Sequence, residues 1–210
     1  LAVIWFVGEF IAIAKAKEIY EKNRSSATVS LRELSNFSGR MPFFWGKRYV
    51  SSVIPDLKEK AGIEEKEMKE EFARIENSIK IHSGSDNELE TRQIACENFI
   101  AKWGIAFPTS KETLVAKQNN DDLKKILLVR KEKKLLKETL EKIKKSTASK
   151  KQDDYRSAFE ECRQLERSLS LPETKKELSD FIKVLRSEAV GNALVEVEKL
   201  IASSSKEDWI

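Results

Sequence analysis

His82 is the single histidine of this 210-residue chain, so a relay of nucleophile, base and orienting acid has one candidate base. It follows the apolar and charged run Ile63–Ile81, where an imidazolium at a helix C-terminus is favoured by the helix dipole, and it is read in that structural role. The two cysteines, Cys96 and Cys162, are too far apart in sequence for a paired-thiol metal knuckle and too few for a disulfide framework. Each falls on an apolar stripe at helical spacing (Leu89, Cys96, Phe99, Ile100, Trp103 and Tyr155, Phe159, Cys162, Leu169), which predicts inert, buried thiols. The seven glycines are scattered and form neither a Walker sequence nor a dinucleotide fingerprint. The carboxylates Glu64, Glu65, Glu67, Glu70 and Glu71 read as a solvated helix face. No catalytic, metal-binding or cofactor-binding residue is assigned.

Residues suited to contact with other molecules are more distinct. Phe37, Phe43, Phe44, Trp45 and Tyr49 lie among Arg40, Lys47 and Arg48, in a segment broken by Gly39, Pro42 and Gly46. Rings supply rigid apolar area and guanidinium groups supply polar anchors, the composition of a protein-interface hot spot. The same residues suit a membrane interface, or can fold back to plug a helical core. All eight are taken as partner-binding candidates. A second cluster is basic: residues 120–151 hold twelve Lys or Arg against five acids, with Lys124, Lys125, Arg130, Lys131, Lys134 and Lys142 as candidate phosphate contacts. That stretch contains no aromatic residue to stack on bases, which leaves backbone electrostatics alone. The competing reading is a solvated face that pairs with acidic helices.

These residues must be carried by helices. Charged residues make up 35% of the chain and apolar ones 40%, with four prolines, a balance that favours long solvated helices over disorder or low-complexity structure. No alternation long enough for a strand is present. Residues 1–14 carry one ionisable group, Glu9, and are apolar on every side of a helix, which demands burial all round. Two readings stand: a central core helix, or the end of a transmembrane helix that begins upstream of Leu1 and is followed by the basic flank Lys15, Lys17, Lys22 and Arg24. Glu9 opposes the second, since a carboxyl in hydrocarbon is costly unless paired.

Ser30 and Glu33 have capping-box spacing and predict a short helix start. Residues 52–62 are expected to separate two parts of the chain. A helix is then expected over 63–82, a second from the Ser85/Glu88 capping box to Trp103, and a short one from Thr109 to Lys117. Asn119, Asn120 and Asp121 are expected to cap the longest helix, to Lys145. Val129, Leu136 and Ile143 are heptad-spaced in it, but Lys133 interrupts the other seam, so it is only coiled-coil-like. Residues 146–151 form a linker that lets this helix fold back on the next, 155–169, as an antiparallel hairpin. Ser170, Pro172 and Glu173 open a last helix that can extend to Leu200 through Gly191.

The expected architecture is all-α, a multi-helix assembly with antiparallel helical hairpins, preceded on one reading by the end of a transmembrane helix. Its regions are 1–24 (apolar helix, a membrane anchor or a central core helix), 25–62 (aromatic and basic loop region with short helices, the aromatic loop running from Phe37 to Tyr49) and 63–210 (charged helical domain). The net charge of +4 is too small for a whole-chain polyelectrolyte argument. The expected role is a non-catalytic structural or adaptor subunit of a larger, membrane-associated complex, its partners other protein subunits and lipid at 1–14. Its bulk would lie on the reducing cytoplasmic, stromal or matrix side. The alternative is a soluble intracellular module binding nucleic acid through the Lys-rich helix 120–151.

Overall fold

A computed structural model describes residues 2–40 and 42–207, with side chains described over 5–40 and 42–201. Its described residues form seven α-helices and no strand, as the composition predicts: α1 (Ala2–Lys22), α2 (Ala27–Arg40), α3 (Phe44–Ile79), α4 (Asp86–Trp103), α5 (Lys111–Ser146), α6 (Gln152–Ser168) and α7 (Pro172–Glu207). The chain divides into two compact units, 1–124 and 125–210, and the division falls within α5. The expected boundary at 62/63 therefore lies inside α3.

In the first unit α1, α2 and the first half of α3 pack together. Their shared core holds Ala12, Ala16, Leu34, Val50 and Leu57, with Phe37, Phe43 and Tyr49 partly buried against it. Farther along α3, Met68, Phe72 and Ile79 are buried, as are Leu89, Cys96, Phe99 and Trp103 of α4. The rings of Phe72 and Phe99 sit 5.4 Å apart, joining the two helices. Each such buried side chain contributes about 1.5–3 kcal/mol relative to exposure. In the second unit Leu136 and Ile143 of α5 meet Tyr155, Ala158, Cys162 and Leu165 of α6 and Leu178, Leu185 and Ala189 of α7. The 3-10 turn Thr147–Ser149 turns α5 back onto α6, with Lys150 in the left-handed region at φ 60°. This is the hairpin that the linker tract predicts, and Lys142 pairs across it with Glu161 at 2.9 Å.

Several local expectations are corrected. Residues 52–62 do not interrupt the helix, because α3 runs unbroken through Pro55 and Gly62, and 37–49 is not one loop, because Phe37 and Arg40 belong to α2 and Phe44, Trp45 and Tyr49 to α3. Val50 and Leu57 anchor α3 in one core on either side of Pro55, and that packing outweighs the missing amide. α2 starts at Ala27 rather than at Ser30, whose hydroxyl instead donates to the Asn23 carbonyl (2.8 Å). Asn119 and Asn120 sit inside α5 instead of capping it, since α5 begins at Lys111 behind Ser110, whose hydroxyl accepts from the Thr113 amide (3.1 Å). The Ser85/Glu88 capping box forms as expected.

The largest correction concerns α1. It is not buried all round: Ala12, Ala16 and Glu9 face inward, while Trp5, Phe6, Val7, Phe10 and Ile11 are exposed. Nor does the transmembrane reading find support, for among the described residues no helix is long and apolar enough to cross a membrane.

Candidate functional site

The aromatic segment is set in place by two adjacent residues of α1. Phe43 precedes α3 in extended conformation and offers no side-chain cap, so the first amides of that helix have no local partner. Glu9 supplies one from outside. Its carboxylate accepts from the amides of Phe44 (2.8 Å), Trp45 (2.9 Å) and Gly46 (3.1 Å), and the residue is only 3% exposed. A helix N-terminus presents both free N–H groups and the positive end of its dipole, which together compensate a buried carboxylate. Beside it, Gly8 lets the Phe43 ring lie on the α1 backbone: a Cβ there would meet the ring at 2.4 Å.

This arrangement sorts the eight candidate residues. Phe37, Phe43 and Tyr49 turn inward against the first unit's core. Phe44 and Trp45 turn outward, 62% and 47% exposed, with their rings edge to face at 5.9 Å. The Arg48 guanidinium lies 5.7 Å from the Trp45 ring centroid, a cation–π distance, and Lys17 of α1 stands 5.9 Å from the Tyr49 ring. Arg40 and Lys47 are exposed. Between α1 and the α2–α3 connection opens a pocket of about 420 Å³, lined by Ile11, Ala12, Phe37 and Phe43 together with Lys15 and Arg40. Gly8 and Glu9 were not among the sequence candidates, although a lone glycine beside a lone acid in an apolar run was their available signal.

The capping of a helix by a glutamate distant in sequence recurs twice. Glu64 of α3 accepts from the amides of Ala27 (2.6 Å) and Thr28 (3.0 Å) and from the Thr28 and Ser26 hydroxyls, at the start of α2. Burial pushes the Glu64 carboxyl up, but these hydrogen bonds outweigh it and hold its pKa below the usual value. Glu132 of α5 accepts from the Ser170 (2.8 Å) and Leu171 (3.1 Å) amides and the Thr174 hydroxyl (2.7 Å), at the start of α7. Glu132, rather than a Ser170/Glu173 box, thus closes that terminus. Three helices begin on borrowed carboxylates, which fixes where each element enters the fold.

The basic candidates are dispersed. Lys124 belongs to the first unit and pairs with Glu97 at 2.9 Å, whereas Lys125, Arg130, Lys131, Lys134 and Lys142 belong to the second. Lys142 is taken up by Glu161, and Lys144 stands over the Phe181 ring. Lys131, Lys133, Lys134 and Lys137 are exposed. His82 lies beyond the end of α3 and its Nε2 is 2.9 Å from the Asn119 Oδ1, so the imidazole ties the α3–α4 connection to α5. Cys96 and Cys162 are free and buried, and burial pushes each thiol up to about 11.

No family model, curated protein or solved structure matches this chain. The surfaces themselves therefore carry the functional argument. In the second unit α7 continues beyond Ala189, the last of its residues in the core, and there Val190, Leu194, Val197 and Ile201 are exposed at alternating spacings of four and three. This is helical spacing, and it leaves an apolar stripe on the outer side of α7. Among the described residues no three of His, Cys, Asp or Glu are grouped to hold a metal ion.

Proposed function

We propose that the chain is a non-catalytic structural or adaptor subunit of a larger, membrane-associated protein complex, working through its aromatic segment and through helix–helix contact. The carrying observation is the pair Phe44 and Trp45, exposed where the Glu9 cap fixes their backbone, with the Arg48 guanidinium at cation–π distance from the Trp45 ring. Exposed rings on a fixed backbone meet a partner with little loss of conformational freedom. The α7 stripe from Val190 to Ile201 gives the second unit a surface of its own, as an adaptor with two attachments requires. Two free, buried cysteines favour a reducing cytoplasmic, stromal or matrix setting.

Changing both Phe44 and Trp45 to Ala tests the reading. Both side chains are substantially exposed, so the melting temperature should stay within a few degrees of the parent. The chain, solubilised from its native membranes in mild detergent, should leave its complex on a native gel, because loss of a hot-spot residue weakens binding by about 2 kcal/mol or more. A complex that survives the double substitution, or a large fall in melting temperature, overturns the aromatic contact.

The exposed lysines Lys131, Lys133, Lys134 and Lys137 favour one second reading, a soluble module holding nucleic acid by phosphate contacts alone.

A further inference from the structure

The outer face of α1 changes character along its length. Phe6, Val7, Phe10 and Ile11 are exposed in its first half, and charged residues take over from Lys15. A helix in a water-soluble bundle ordinarily turns such side chains inward, and here the inward face is occupied by Glu9, Ala12 and Ala16. The Glu9 carboxylate is withdrawn from this surface by the three amides of α3. Glu18, about two and a half turns beyond Glu9, is paired with Lys15 at 2.8 Å, so those two side chains carry no net charge between them. Cations then flank the apolar area: Arg40 lines the apolar pocket, and Lys47 and Arg48 stand beside the outward rings.

We propose that this end of the first unit docks on an anionic bilayer surface, with Phe6, Val7, Phe10 and Ile11 entering the acyl boundary and Arg40, Lys47 and Arg48 meeting lipid phosphates. Charge complementarity decides the occupant, since apolar and aromatic groups bordered by cations match the layered order of acyl chain, interface and anionic headgroup. The surface lies on the membrane without crossing it, in keeping with the absence of a spanning helix among the described residues. The pocket, whose lining includes Ile11, Phe37 and Phe43 with Arg40, has the chemistry to receive part of an acyl chain while its headgroup remains outside. This inference rests on the membrane-associated reading above and gives that association its lipid class and its residues.

The test is flotation of the purified chain with phosphatidylcholine vesicles, with and without 30% phosphatidylserine (about one lipid in three, chosen to set a strong surface potential). The parent should float with the anionic vesicles about ten-fold more than with the neutral ones, and less at high salt. F6Q/F10Q should lose flotation on both. R40Q/K47Q should lose the anionic preference, and it keeps the test open if the first variant does not fold, with circular dichroism as the check. Equal flotation on both lipids, none on either, or parent-like flotation of folded F6Q/F10Q overturns the lipid inference. Neither variant touches Phe44 or Trp45, so a complex that persists while flotation fails removes the lipid inference alone. Anionic flotation by a chain that enters no complex removes the adaptor reading alone.

Discussion

Gly8 and Phe43 are in such close approach that a methyl group on Gly8 would lie 2.4 Å from the ring's Cζ. Gly8 sits in α1, where alanine is intrinsically the better helix former by about 1 kcal/mol, so propensity and packing oppose each other. Packing should win. G8A is expected to destabilise the chain by about 1–3 kcal/mol through forced movement of the ring. Gly62, an exposed residue of α3 with open space around its Cα, is the control: G62A should stabilise by about 0.5–1 kcal/mol. Urea unfolding of both variants measures the two signs.

Glu9 makes a second prediction, on helix capping. E9A would leave the part-buried amides of Phe44 and Trp45 and the buried amide of Gly46 without their acceptor, at a cost of about 1–3 kcal/mol. E9Q keeps one acceptor oxygen and should recover part of that loss. A lipid-facing or solvent-facing Glu9 would give the opposite order, with E9A harmless, and chemical unfolding of the two variants distinguishes these outcomes.

The all-α class and the hairpin across residues 146–151 were legible because apolar spacing and turn composition are local signals. What escaped the sequence depends on pairs distant along the chain. Glu132 lies on the stripe of Val129 and Leu136 at helical spacing, yet among so many exposed acids its burial had no local mark; its partners Ser170, Leu171 and Thr174 come from another helix. Glu64 hides likewise in the acidic run of α3. The separation expected over 52–62 does not form, since the core around Val50 and Leu57 holds α3 together across Pro55. Of the aromatic candidates, the composition located the segment, but which rings turn outward is decided by Gly8 and Glu9 of α1.

Glu64 links the first unit to pH. Its carboxyl is pushed up by burial and pulled below the usual value more strongly by the bonds from Thr28, Ala27 and Ser26. The folded value is thus lower than the unfolded value of about 4.3. Its contribution is fully present above the unfolded value and is lost as pH falls through the folded one. E64Q should therefore be less stable than the parent at neutral pH, with the difference shrinking as pH falls from about 5 toward 3. A constant difference across that range, measured by urea unfolding, would sink the assignment.

The cysteines give a chemical test of the two cores. Cys96 and Cys162 are buried, and burial pushes both thiols to about 11, far above neutrality. Thiolate is the reacting species, so neither should react with a disulfide reagent at pH 8 in the folded chain within minutes, whereas both should react at once in denaturant. Rapid labelling of one thiol before unfolding would show that its unit opens locally on that time scale.

The basic face of α5 decides between the adaptor and the nucleic-acid reading. Lys124 and Lys142 are engaged by Glu97 and Glu161, and the stretch has no ring on which a base can stack. Whatever affinity exists must then come from phosphate contacts, whose strength falls steeply with salt because bound counterions are released. We expect retention on single-stranded RNA and duplex DNA to be near background at about 0.15 M salt, both for the parent and for a K131E/K134E/K142E variant. K142E also sets two carboxylates against each other at Glu161, so K131E/K134E is the cleaner probe and melting should accompany it. Strong parent retention that weakens with salt and disappears in K131E/K134E, with melting unchanged, would favour nucleic acid as the partner of this helix. Background retention in both leaves the lysines as the solvated face of the α5–α6 hairpin and returns the question of partners to Phe44, Trp45 and the α7 stripe.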